Sequence, residues 1–169
     1  MDPRQLRIFA RSCIVFFLLW PQALPATKDV QPRQPGPRDA CPVCGMFVAP
    51  YPEWIAQVVF EDGSLIFFDG SKDMFKYLLD RGRFSPDKQH LEIAASFVTG
   101  YYGGKTIPAR RAHFVIGSDV FGPMGPELVP HKTAEEAEEF LEDHKGSRVV
   151  VFADVTAELL RSLGKHSER

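Results

Sequence analysis

The amino-acid sequence predicts an α+β fold, two ββα units with a largely antiparallel sheet, preceded by a signal peptide and a disordered tether. Three observations carry this reading. A strand–turn–strand–helix pattern over residues 54–82 is repeated over 111–146. The apolar runs of both copies are short, rich in β-branched and aromatic residues, and separated by turn residues. Fourteen phenylalanines, eleven of them beyond residue 26, supply a core at roughly 25 cal/mol per Å² of buried apolar area, so the fold does not depend on disulfides.

The chain begins with a leader. Arg4, Arg7 and Arg11 form a basic region, "CIVFFLLW" (13–20) a short apolar one, and "PQALPA" a small-residue cleavage site. Residues 1–26 therefore read as a secretory signal peptide that is too short for a spanning helix. Cleavage removes Cys13, three Arg and one Asp, taking the net charge from −2 to about −4. No lipobox precedes Cys41, and the exported chain is expected to be periplasmic, with no stable membrane insertion after cleavage. Residues 27–40, with three prolines and little apolar content, read as a flexible linker, and 41–169 as one metal-binding domain. Basic residues are scattered rather than striped among aromatics, which excludes a nucleic-acid footprint.

"WIAQVVF" (54–60) is strand-like, "EDGS" a hairpin turn, and "LIFFD" (65–69) the return strand. "GSKDMFKYLLDRG" follows as a helix capped by Asp69 or Ser71 and ended by Gly82, with Met74 in the core. "HLEIAASFVTGYY" (90–102) adds strand, and "RAHFVIGSD" (111–119) opens the second unit. Its helix, 133–146, starts with Thr133 and Glu136 as a capping box. Laying Ser71 on Thr133 aligns Leu78-Leu79 with Phe140-Leu141 as the buried stripes. "RVVVFAD" (148–154) reads as a buried strand and "VTAELLRSLGK" as a terminal helix.

The chemistry concentrates in "CPVCGM" (41–46), with Cys41, Cys44 and Met46. Three readings are open. A redox couple needs the pair at a helix N-terminus, and a glycine, a β-branched residue and two prolines follow instead. Zinc needs further ligands, and the five histidines lack finger spacing. Two thiolates beside a thioether form a soft donor set that favours Cu(I). Met124, in "FGPMGPE", sits on a Gly/Pro loop where it cannot join a helical core stripe, and His131, seven residues on, can approach the same loop. No Ser-His-Asp order, phosphate loop or paired-carboxylate motif is present, so the residues give no positive evidence for an enzyme. The competing classes are a thiol-disulfide or organometal-cleaving enzyme using the cysteine pair, and an envelope domain with structural zinc.

"CPVCGM", "DGSLIFFDGSKDMFKYL", "VTGYY" and "GSDVFGPMGPELVP" followed by a helix together resemble the NosL-type nitrous oxide reductase accessory proteins, over most of residues 40–146. The resemblance implies two ββα units and a copper chaperone of the bacterial cell envelope. It would bind Cu(I) and deliver it to an acceptor copper enzyme, nitrous oxide reductase. It also implies copper binding by the PMG methionine, which falls on Met124, and by a histidine two residues later, where this chain has Pro126. The donors left to complete the site are Cys41, Cys44, Met46 and His131. Folding is then expected to bring the PMG loop to the CPVCGM segment so that both share one Cu(I).

Overall fold

The computed structural model describes residues 30–163; the signal peptide read over 1–26 lies outside the described residues. The first unit is β1 (Ala56–Phe60), β2 (Leu65–Phe68) and α1 (Ser71–Leu79), followed by a single turn of helix, α2 (Arg81–Phe84). β3 (Ile93–Thr99) and β4 (Thr106–Pro108) complete an antiparallel sheet of order β2-β1-β3-β4. β1 is central, and all five of its residues are buried. The "EDGS" turn closes as expected, with the Ser64 amide donating to the Asp62 carboxylate at 2.8 Å.

The second unit is β5 (His113–Ile116), a small hairpin β6 (Phe121–Gly122) and β7 (Gly125–Pro126), β8 (Val129–His131), and α3 (Ala134–Asp143). β9 (Arg148–Val151) then joins a sheet of order β8-β5-β9, and α4 (Ala157–Leu163) ends the described chain. All pairings are antiparallel. Pro130 costs nothing in β8, because an edge strand leaves one row of amides unpaired in any case.

Alternation along β5 assigns the two faces of the second sheet. Phe114 and Ile116 enter the main core with Phe68, Met74, Phe75 and Leu128. Val115 points the other way, into a smaller core with Val129, Ala137 and Phe140 under α3. The sheet is thus a shared wall between α1 and α3. On its α1 side the Phe75 and Phe114 rings meet edge to face at 5.2 Å, a favoured aromatic geometry.

Several boundaries depart from the sequence expectation. The buried stripe of α1 is Met74, Phe75 and Tyr77, while Leu79 is half exposed. The helix packs through its N-terminal half, and its last turn runs past the sheet. Gly82 lies inside α2 rather than ending α1. β9 buries only Val150, as suits an edge strand. At α3, Thr133 Oγ1 accepts the Glu136 amide as expected, but the Glu136 carboxylate reaches back to the Lys132 amide instead of Thr133.

Part of the proline-rich segment is held against the first sheet. Gln57 is a polar residue in a fully buried strand, and its amide group needs partners. The Arg33 backbone supplies both: its N–H donates to Gln57 Oε1 at 2.8 Å, and its carbonyl accepts Gln57 Nε2 at 3.0 Å.

Candidate metal centre

Residues 39–48 fold into a tight knuckle against the first turn of α1. Ala40 and Phe47 form a β-bridge, the Cys41 amide donates to the Met46 carbonyl at 2.9 Å, and the Gly45 amide donates to the Cys41 carbonyl at 2.8 Å. Gly45 sits at φ +82°, a conformation glycine adopts without penalty, and this reverses the chain. The closed turn aims backbone amides at the sulfurs. Val43 and Cys44 donate toward the Cys41 sulfur, and Met46 toward the Cys44 sulfur. No helix starts at the pair, so the arrangement that activates a redox dithiol is missing.

Two carboxylates complete the cluster. Cys44 Sγ lies 3.2 Å from Asp69 Oδ1, and Cys41 Sγ lies 3.7 Å from Asp73 Oδ2. One donor atom from each of Cys41, Cys44, Asp69 and Asp73 lies within 4.8 Å of every other. Cys41, Asp69 and Asp73 are buried, and Cys44 is half-buried. Burial pushes the Cys44 thiol up to about 11, with Asp69 adding to the rise, and raises Cys41 further for the same reasons. Asp69 Oδ2 is buried with no hydrogen-bond partner. A carboxylate oxygen in that state lacks compensation for lost hydration, and a bound cation would supply it.

The sequence missed both aspartates. Asp69 read as a helix cap, and Asp73 drew no reading at all. The available signal was a pair of acids four positions apart, one just before the helix start and one in its first turn. Neither Asp69 nor Ser71 caps α1. Its N-cap is Gly70, with no side-chain bond of its own. The cap comes from Glu127, 55 residues away, whose Oε1 accepts the Lys72 amide at 2.5 Å and the Leu128 amide at 2.9 Å. With the cap supplied from elsewhere, Asp69 is left to face Cys44.

Met46 is half-buried in the knuckle beside the cluster. Met124 lies in the β6–β7 turn with 45% of its surface exposed. Its carbonyl accepts the Lys72 ammonium at 2.7 Å, which ties the PMG hairpin to the first turn of α1, the turn that also carries Asp73.

His131 stands outside the four-donor cluster. It is fully buried on β8 with ring centroids 4.6 Å from Phe140 and 5.6 Å from Tyr102, and neither ring nitrogen has a hydrogen-bond partner. Burial lowers its pKa from 6.5 to about 4. The unfolded chain therefore takes up a proton first on acidification. The stability tied to neutral His131 is complete above pH 6.5 and is lost as the pH falls toward 4, by at most about 3 kcal/mol. Replacing it in His131→Leu is expected to flatten the acid limb of a urea-midpoint versus pH curve. An unchanged limb would place the acid sensitivity elsewhere.

No curated protein matches the sequence significantly. The fold is that of the crystal structure of the copper chaperone NosL from Shewanella denitrificans, with a TM-score of 0.64 at 23% identity, covering 76% of this chain and 97% of that one. The solution structure of apo-NosL from Achromobacter cycloclastes is 31% identical, with a TM-score of 0.44 and coverage of 62% and 87%. The NosL family model matches residues 32–160. That span takes in the knuckle, both ββα units and the PMG hairpin, and the chain accordingly belongs to the NosL family.

Proposed function

We propose that this protein is a copper chaperone of the bacterial cell envelope, carrying Cu(I) as cargo to nitrous oxide reductase. The observation that supports this most is the knuckle itself: a buried and a half-buried sulfur converge, with backbone amides aimed at them and a carboxylate beside each. The proposed ligands are the Cys41 and Cys44 thiolates, completed by the thioether of Met46 or Met124. Soft donors of this kind select Cu(I) over harder ions. The two structural relatives named above are NosL proteins, and the Shewanella denitrificans one is described as a copper chaperone.

The site suits transfer rather than turnover. A catalytic or redox thiol works as a thiolate near neutral pH, whereas burial raises both cysteines here. Metal binding displaces those protons, and the neutral thioether holds copper weakly enough to yield to an incoming donor. Among the described residues no helix is long and apolar enough to cross a membrane, and with the leader over 1–26 we place the protein in the periplasm.

A second reading, structural zinc, is favoured by one observation. Asp69 and Asp73 turn the two sulfurs into an S₂O₂ set, which zinc accepts in tetrahedral geometry. An anaerobic titration of the reduced protein with Cu(I) against a chromogenic chelator, run beside zinc, separates the two. One Cu(I) withdrawn from the chelator per chain is the expected result. Stoichiometric zinc with no competition for Cu(I) would replace the chaperone by a zinc domain.

A further inference from the structure

The PMG hairpin is too small to hold its own position. Its strands, Phe121–Gly122 and Gly125–Pro126, are two residues each, and an isolated hairpin even of ordinary length is marginal in water. What holds it is the first turn of α1. The Lys72 ammonium, at the end of a side chain buried to 7% exposure, donates to the Met124 carbonyl at 2.7 Å and to the Pro126 carbonyl at 2.6 Å. It has no carboxylate within ion-pair distance among the described residues, so those two carbonyls are its main compensation. Glu127, directly after the hairpin, closes the other side by accepting the Lys72 and Leu128 amides. Both contacts close on one residue of α1, and the next residue is Asp73, which faces Cys41.

Building on the copper reading above, we infer that Lys72 and Glu127 are positioning residues that hold the Met124 thioether at a set place relative to the cysteine pair. Both of the ammonium's acceptors are main-chain carbonyls of the loop, so Lys72 governs where Met124 stands without touching its sulfur. Glu127 does the complementary job from the hairpin side, locking the loop's exit to the helix start. The two halves of the fold thus deliver one donor group each, thiols from the first and thioether from the second, and the clamp sets the separation between them.

The test is a double-mutant cycle on Cu(I) affinity with Lys72→Leu and Met124→Leu, read alongside the copper–sulfur coordination number from X-ray absorption. Each single variant is expected to lose about tenfold in affinity and one sulfur neighbour, as removal of an outer-shell support commonly does. The double variant is expected to be no weaker than either, because both remove the same donor. Lys72→Arg, which retains donors, is expected to recover the sulfur count. Losses that multiply in the double variant, or a Lys72→Leu protein with the full sulfur count, would overturn the inference. If Lys72→Leu does not fold, selenomethionine labelling decides: a copper–selenium neighbour present without the substitution and lost in Met124→Leu is expected, and its absence would overturn it. Absence of Cu(I) uptake by the unsubstituted protein would instead overturn the copper reading and the clamp together. Uptake insensitive to Met124→Leu would overturn the clamp alone.

Discussion

Replacing Cys41 and Cys44 together by serine is expected to lower Cu(I) affinity by well over a hundredfold. Loss of an outer-shell partner already costs about 10–100-fold, and on the ligand set proposed above two anionic sulfur ligands are exchanged for weakly donating hydroxyls. The thioethers that remain are neutral and cannot balance the ion's charge. Competition against a chromogenic Cu(I) chelator under anaerobic conditions reads the effect, with circular dichroism confirming that the knuckle residues were not holding up the fold. His144→Ala serves as the contrast. That side chain pairs with Asp119 on the far side of the second unit and is expected to leave the affinity unchanged. Equal losses in the two proteins would remove the cysteines from the site.

The second large effect is on stability. A Cβ at position 70 would sit 2.2 Å from Glu127 Oε2, inside the distance real side chains tolerate. Gly70→Ala therefore pushes the Glu127 carboxylate out of its place. The α1 terminus then loses the side-chain cap that Glu127 supplies, worth up to about 2 kcal/mol, and leaves a buried amide without a partner, at about 1–3 kcal/mol. A loss of roughly 3–4 kcal/mol, read as a lower urea midpoint, is expected. Gly125→Ala, where the open turn offers no contact within 4 Å but the backbone is left-handed at φ +82°, is expected to lose about 1 kcal/mol by comparison. A Gly70→Ala protein as stable as the parent would show that Glu127 does not cap the helix.

Much of this architecture could be read from the residues because local signals agreed with the global fold. The Asp62-Gly63 turn, the β-branched runs around it and the Thr133 cap each act over a few residues, and each appears where expected. The site was legible only in part. Cys41 and Cys44 announce themselves by spacing, since a three-residue separation closes a turn whatever surrounds it. Asp69, Asp73 and Glu127 do not, because what they contact is 25, 32 and 55 residues away. At α1, the sequence offered two good local caps in Asp69 and Ser71, and tertiary structure used neither. A capping preference is worth about 1 kcal/mol. A buried carboxylate bonding two amides from across the fold overrides it. His131 likewise owes its surroundings to the fold. A histidine near a methionine loop invites a ligand reading, but the strand register turns it inward against Phe140.

The borrowed cap has a consequence in time. A helix of nine residues is too short to persist alone in water, and the group that secures its start belongs to a segment made much later. As the chain grows from its N-terminus the thiols appear first, while the turn that must hold Asp69 and Asp73 beside them still lacks its anchor. The four-donor pocket thus becomes complete only when residues up to 127 have been made and have docked. A chain cut short before that point presents two loose cysteines rather than a formed cradle, so on the copper reading proposed above loading waits for the finished fold.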